Sequence, residues 1–360
     1  MSSTTLDALS LERLVAAAVA APSLHNTQPW RFRLDTDTRT VCIDAAVDRA
    51  LRHTDPVGRA VHLSVGCALL NLRIAAAHFG WEPVTRLLPC PDRPARLAAV
   101  RLAELVRGAS SADLYEAVWR RRSSRFPFSA RPLPSDLLAE LTEAARLEGA
   151  NLRFPGRDDT DRVLRATREA ECRNRADADR AAESRLLVSG PHPRSTGLPS
   201  AALGRQDALD RVPMRDFGAH RHPDVLPARA FETRPTLALL STAHDRRADW
   251  LRAGQALERV LLLVTRRGVR ASLLHQAMEW PDLRDALDGL PVDGPRVHTQ
   301  MVIRLGYGPE GPTSPRRPVE EVMSRQGRAF SALGDDHGAP AVAGAQEVSR
   351  ATRPMEAGNS

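Results

Sequence analysis

Four short clusters in the sequence combine residue types that can hold an anion and a polar ligand. The first is Ala21-Pro22-Ser23-Leu24-His25-Asn26-Thr27-Gln28-Pro29-Trp30. Pro22 ends a helical pattern, and Pro29 predicts an extended Gln28 before it. The loop between the two prolines offers backbone amides and the Ser23 and Asn26 side chains. The second cluster is Arg121-Arg122-Ser123-Ser124-Arg125-Phe126. A guanidinium gives forked, charge-assisted hydrogen bonds that suit a phosphate. The third is Leu274-His275-Gln276, after a short apolar run, and the fourth is Ser314-Pro315-Arg316-Arg317-Pro318.

These clusters need elements to position them. Residues 6–21 read as an amphipathic helix delivering the Pro22 loop. Residues 30–34 and 40–43 read as a hairpin, with turn residues at 35–39. A long helical pattern covers 59–79 and is closed by Gly80. Asp55-Pro56-Val57-Gly58-Arg59 before it reads as a turn and cap. Residues 98–102 read as a strand. Helices are predicted over 114–122, over 134–147 with Ser135 as N-cap, and, highly charged, over 158–187. Residues 189–227, rich in Pro, Gly, His and Arg, read as a long irregular excursion that could cover a site. A strand at 236–241, a helix at 250–266 and a strand at 301–305 follow, and from 324 the composition predicts a disordered tail. Two helices echo one another. Gly66-Cys67-Ala68-Leu69-Leu70 precedes Gly80-Trp81, and Gly254-Gln255-Ala256-Leu257-Glu258 precedes Gly268-Val269.

Several function classes are disfavoured. The formal charge is +7, but all 51 basic residues are Arg and they are dispersed, so no nucleic-acid surface is expected. Cys42, Cys67, Cys90 and Cys172 form no Cys-x-x-Cys pair, and buried free thiols in a reducing compartment are expected. His220-Arg221-His222 has no third ligand with metal-site spacing. There is no Gly-x-Ser-x-Gly elbow, so an acyl hydrolase is not expected. No signal peptide and no membrane-spanning stretch is read, which predicts a cytoplasmic protein acting on small molecules.

The first cluster resembles the Pro-Ser-x-x-Asn-x-Gln-Pro-Trp loop of nitroreductase-superfamily flavoproteins, matching all six fixed positions. Arg121-x-Ser123-x-Arg125 resembles the family's Arg-x-Ser-x-Arg/Lys segment. The resemblance implies an α+β, nitroreductase-like fold with mixed sheets flanked by helices. It implies one FMN per chain, with NAD(P)H as electron donor and nitroaromatic or quinone-like acceptors. Carried over position by position, Pro22, Ser23, Leu24, Asn26 and Gln28 would line the flavin, and Arg121 and Ser123 would meet its phosphate. Arg125 would lie near flavin N1 and O2, where reduction places negative charge. The backbone amides of His275 and Gln276 would face N5 and O4, and Arg316 and Arg317 would complete the phosphate pocket.

In that family the loop and the Arg segment come from different subunits of a homodimer. Here the loop lies in residues 1–110 and the Arg segment in 111–323, while Glu148-Gly149-Ala150-Asn151 stands where a second loop would be. The halves are complementary, as in a fused pseudo-dimer with one complete site, and this resembles the actinobacterial Acg-type branch. Further homo-oligomerisation is left open. Two departures favour a second reading, a protein that holds flavin without turnover. The family's flavin-edge position often holds Lys, which this chain lacks, and the excursion at 189–227 could cover the face a nicotinamide needs.

Overall fold

A computed structural model of the chain describes residues 7–104, 112–189, 195–217, 228–289 and 296–324, all within one unit. The expected tail from 324 lies, but for Ser324 itself, outside the described residues, as do the parts of the excursion at 190–194 and 218–227 and the His220–His222 pair.

The first half runs α1 (Ala8–Val19), β1 (Trp30–Asp35), β2 (Thr40–Ala45), α2 (Arg59–His78), β3 (Trp81–Leu87) and β4 (Arg96–Glu104). After α3 (Tyr115–Arg120), the second half runs α4 (Ser135–Leu147) and β5 (Asn151–Arg153). An insertion follows, with α5 (Arg157–Ala176), α6 (Ala178–Leu186), β6 (Val188–Ser189) and β7 (Leu198–Pro199). Then come β8 (Thr236–Thr242), α7 (Arg247–Arg266), β9 (Arg270–Leu273), α8 (Pro281–Asp288), β10 (His298–Gly306) and α9 (Val319–Val322).

Two four-stranded sheets result, in the orders β1-β2-β4-β3 and β5-β8-β10-β9. Each half is therefore a helix, two strands, a long helix and two strands, with the same strand order. The α+β class is as expected. The ladders of these two sheets are antiparallel, and parallel pairing is found in the short β6–β7 ribbon of the insertion and in isolated bridges. Met323 pairs with Phe32 of β1, and Ser123 with Ala271 of β9. The first of these means that the chain leaves the second sheet after β10 and crosses to the first.

The core sits between the sheets, on α2 and α7. Seventeen residues of α2 are buried, including Leu69, Leu70, Leu72 and Ile74. This helix is long and apolar enough to cross a membrane by composition, yet its faces are covered by protein. The sequence echo between the two helices is a structural correspondence. A shift of 188 residues carries Arg59 to Arg247 and His78 to Arg266, the two ends of each helix, and Gly66 to Gly254.

The two glycines meet. A Cβ on Gly66 would stand 2.3 Å from the Leu251 carbonyl oxygen, and one on Gly254 would stand 2.1 Å from that of Leu63. Leu63 and Leu251 are related by the same shift. Reciprocal contacts of this kind are what a two-fold axis produces, so a pseudo-dyad passes between Gly66 and Gly254.

Three local readings are corrected. Pro134 rather than Ser135 occupies the N-cap of α4, and no side chain caps it. The helix over 158–187 is two helices, broken at Asp177, whose carboxylate accepts from the Asp179 and Arg180 amides and starts α6. Of the four free cysteines only Cys42 and Cys67 are buried, while Cys172 is exposed on the charged face of α5.

The glycine contact has a measurable consequence. Gly→Ala in an unobstructed helix stabilises by about 1 kcal/mol. Here the new methyl would meet backbone oxygen on the partner helix, which cannot move without displacing a whole half. Gly66→Ala and Gly254→Ala are expected to destabilise by roughly 3 kcal/mol, seen as a lowered Tm. A raised Tm in either variant would show that the helices are not in contact there.

Candidate functional site

Two clefts share a wall. An apolar slot of about 710 Å³ is lined by Leu24, Leu63, Cys67, Phe217, Leu257 and Gln276, among others. A wider basic cleft of about 1420 Å³ is lined by Arg121, Arg122, Ser123, Asn26, Arg316 and Arg317, among others. Pro22, Ser23, His25 and Arg125 border both. Eleven of the twelve residues singled out by the sequence thus border one or both clefts. The twelfth, Gln28, is fully buried behind them.

The loop after α1 is strained. His25, Asn26 and Gln28 have φ of 50°, 57° and 51°, a left-handed conformation that non-glycine residues hold only when their surroundings impose it. The extended Gln28 predicted from Pro29 is therefore not what forms. Side chains hold the loop instead. Ser23 Oγ accepts from the Gln28 amide at 2.9 Å. Asn26 Nδ2 donates to the Gly197 and Pro315 carbonyls, both at 2.9 Å. Gln28 Nε2 donates to Ser195 O at 2.7 Å, and its Oε1 accepts from the Arg317 amide at 2.8 Å. Arg49 Nη1 donates to the carbonyls of Gln28 and Trp30. Asn26 and Gln28 thus act by stapling the loop to the excursion and to the C-terminal crossing segment.

The basic cleft holds buried positive charge. Arg316 Nη1 donates to Asn26 Oδ1 at 3.0 Å, and Arg316 Nη2 donates to Ala20 O at 3.1 Å. Arg121 Nη2 reaches the same carbonyl at 3.3 Å. Burial, then the neighbouring Arg121, holds the Arg316 guanidinium down to about 9. The buried Nε atoms of Arg121, Arg316 and Arg317 have no hydrogen-bond partner among the described residues. The carboxylate nearest Arg121 is Glu258, 3.5 Å from its Nε. Two buried like charges sharing one distant carboxylate describe an anion site. Arg304 positions this Arg segment. It is fully buried between Phe128 and Phe231, pairs with Glu232, and donates to the Phe126 carbonyl.

The far wall of the slot is a 3-10 turn, Gln276–Glu279, entered at His275. The first amides of such a turn have no partner within it, and His275 and Gln276 both line the slot. Their side chains point elsewhere. Gln276 Nε2 donates to Pro213 O at 3.1 Å. His275 Nδ1 faces Glu279 Oε1 at 2.9 Å, and its Nε2 faces Arg59 Nη2 at 3.1 Å. A carboxylate on one side and a guanidinium on the other fix a neutral ring protonated at Nδ1. Burial, opposed by Glu279, holds the imidazole below its ordinary value.

Glu279 is the hub. It also pairs with Arg215 and accepts from Asn174 and Arg180. Despite burial, Arg215 and then His275 hold its carboxyl far below the usual range. This network is not visible in the sequence, because its members are spread from Arg59 to Glu279. Asp55-Pro56-Val57-Gly58 is the turn and cap expected, with Asp55 accepting from the Val61 amide, but Arg59 then crosses into the second half. From the excursion, Met214, Arg215 and Phe217 line the slot. His25 was also missed. It stacks edge-on to Phe217 with centroids 5.3 Å apart, and neither ring nitrogen has a partner among the described residues.

Among the described residues, the second half has no matching loop. Glu148, at the end of α4, pairs with Arg73 of α2 at 2.5 Å and with Arg259 of α7 at 2.6 Å. Gln255 accepts from Arg73 at 2.7 Å. An ion cluster therefore stands at the end of α4, where the first half has its loop after α1.

No family model matches the chain. It is 31% identical over 324 residues, 88% of this chain and 92% of the relative, to a Mycobacterium tuberculosis protein named as an NAD(P)H nitroreductase. The chain belongs to the nitroreductase family. A second Mycobacterium tuberculosis relative, named as the NAD(P)H nitroreductase Acg, is 30% identical over 321 residues, 87% of this chain and 95% of the relative. A solved nitroreductase-like structure from Anabaena variabilis covers 84% of this chain and 88% of its own, at 13% identity and a TM-score of 0.47. The motifs that suggested the nitroreductase family and its Acg branch are those that converge on the two clefts.

Glu279 sets a stability test. Replacing it with Gln leaves Arg215 and Arg180 buried beside a neutral amide. An uncompensated buried charge costs about 3 to 5 kcal/mol, so Glu279→Gln should unfold at markedly lower urea. A carboxyl held low in the folded state stabilises above its unfolded value near 4.3 and loses that contribution as pH falls. The difference between wild type and Glu279→Gln should therefore shrink below about pH 4. A difference that grows in acid would reverse the assignment.

Proposed function

We propose that the nitroreductase-type site binds one FMN per chain and serves an NAD(P)H-dependent reductase of electron-poor acceptors such as nitroaromatics or quinones. The observation that carries this reading is a basic cleft, whose buried guanidinium Nε atoms have no hydrogen-bond partner among the described residues, opening into an apolar slot. The shapes and charges suit a phosphate at one end and a planar ring at the other.

Arg121 and Arg316 would hold the phosphate, with Ser123 and Arg317 beside them. Pro22, Ser23 and Leu24 would bound the ring on one side and the amides of His275 and Gln276 on another. When bound, FMN would supply hydride acceptance from the nicotinamide and hydride donation to the acceptor. Arg125 borders both clefts and places its positive charge beside the slot. The apolar walls exclude water, so that charge and the amide dipoles act at low dielectric. Neutral His275, pinned between Arg59 and Glu279, keeps the amides at fixed positions. The ion cluster at Glu148 supports one site per chain rather than two.

A second reading rests on the slot wall. Arg215 is clamped by Glu279, and with Met214 and Phe217 it lines the slot a nicotinamide would have to enter. A protein that holds flavin without turnover would have this feature.

The experiment is the visible spectrum of the purified chain, followed by anaerobic mixing with NADPH and NADH. About one FMN per chain that bleaches within seconds supports the reductase. A yellow protein that stays oxidised with both donors supports the holding protein. A colourless chain that takes up no FMN overturns both. Arg316→Ala should weaken FMN binding about 10- to 100-fold, as expected for loss of a charge-assisted contact to phosphate. Riboflavin, which has no phosphate, should bind that variant and the wild type within about twofold.

A further inference from the structure

Glu258 is a charged residue on the most buried stretch of α7. It is completely inaccessible to solvent, and neither carboxyl oxygen has a hydrogen-bond partner among the described residues. The shift that relates α7 to α2 carries it to Leu70, so the symmetric position is apolar. Packing alone would therefore favour Leu here. A buried carboxyl without hydrogen bonds costs several kcal/mol. What faces it explains its presence. Arg121, just after α3, stands at 3.5 Å, and Arg316 on the C-terminal crossing segment attracts it as well. From α2, Asn71 and Cys67 face it, and the thiol is pushed up by burial and then by this carboxyl. Arg122 adds positive charge on Arg316 from the same cleft.

The geometry points to Glu258 as the internal counter-ion of the anion cleft, so that a phosphate monoester binding at Arg121 and Arg316 is accompanied by proton uptake at this carboxyl. The inference rests on the reading of the cleft as the FMN phosphate site. Before binding, the carboxylate offsets two buried guanidiniums. An arriving dianion offsets them instead and repels the carboxylate, which becomes a neutral acid by taking one proton from solvent. Glu258 is set up for this exchange. Burial, opposed by Arg121, already pushes its carboxyl up to about 7, so a further anion moves it through the neutral range. The sign follows. Where the bound state holds more protons than the free state, affinity falls as pH rises, by up to about tenfold per pH unit for one proton. The ligand contributes little above pH 7, because a phosphate monoester loses its second proton near pH 6.

The test is calorimetric titration of FMN into the flavin-free full chain between pH 7 and 8, in two buffers of different ionisation enthalpy. Wild type should take up about half a proton per FMN at pH 7, rising towards one at pH 8, and its affinity should fall with pH. Glu258→Gln should fold, bind FMN with little pH dependence and take up almost no proton. Riboflavin should show no proton uptake with either protein. FMN binding to wild type without proton uptake overturns the inference and leaves the cofactor reading standing. Equal uptake in wild type and Glu258→Gln overturns it too, by placing the proton elsewhere. A wild-type chain that binds no FMN overturns the cofactor reading and, with it, this inference.

Discussion

The crossing of α2 and α7 at Gly66 and Gly254 is the contact on which the molecule depends. Two helices without side chains at the crossing bring their backbones together, and each glycine is met by the carbonyl three residues before the other. A reciprocal contact leaves no freedom to slide. It fixes both four-stranded sheets, because each sheet hangs from one of these helices. It also fixes the position of the loop after α1 relative to the Arg segment after α3. The slot lies beside this crossing, with Leu63 and Cys67 from α2 and Leu257 from α7 in its wall. A displacement of about 1 Å at the glycines would be passed directly to the walls.

Around that rigid centre the charges are arranged unequally. One side gathers Arg121 and Arg316 around a single buried carboxylate, with Arg317 beside them paired to Glu321, and so holds more buried positive than negative charge. The other gathers Glu148 with Arg73 and Arg259, and closes. A third cluster pairs Glu279 with His275, Arg215 and Arg180, and ties the excursion to the slot. The second cluster joins the two halves, the third joins the insertion to the second half, and Arg316 of the first reaches Asn26 and Ala20 in the first half. Electrostatics therefore lock the halves together where packing alone would leave two similar domains, and buried pairs of this kind fix geometry more than they add stability.

Much of the fold and most of the site were legible in the sequence, for identifiable reasons. The Pro22–Trp30 loop is local, so its residues sit next to one another in the chain and in space. The Gly66 and Gly254 echo was visible because a backbone-to-backbone crossing tolerates only one residue type. What stayed hidden was non-local. Glu258 looks like one acidic residue among many, and only its burial against Arg121 gives it meaning. Arg59 and Arg215 reach the His275 network from more than sixty residues away. The conformation of Gln28 went the other way, since a local rule about residues before proline lost to hydrogen bonds with Ser195 and Arg317. The break at Asp177 was missed because capping there competes with a helical pattern that continues on both sides.

Fusion explains why the asymmetry is tolerated. In a dimer of identical chains, every change made to improve one site is made in the other, and a residue that closes one closes both. Here the loop was needed only after α1 and the Arg segment only after α3. The end of α4 was then free to carry Glu148, and the connection between β5 and β8 was free to lengthen into α5, α6 and the covering segment. The extra length is spent on one face of one site. The segment from β10 to Met323 completes the logic: it crosses from the second sheet to the first, delivers Arg316 and Arg317 to the anion cleft on the way, and ends as a bridge beside β1. A half expressed alone would lack either the loop or the charges that face it, so the complete site is a property of the whole chain.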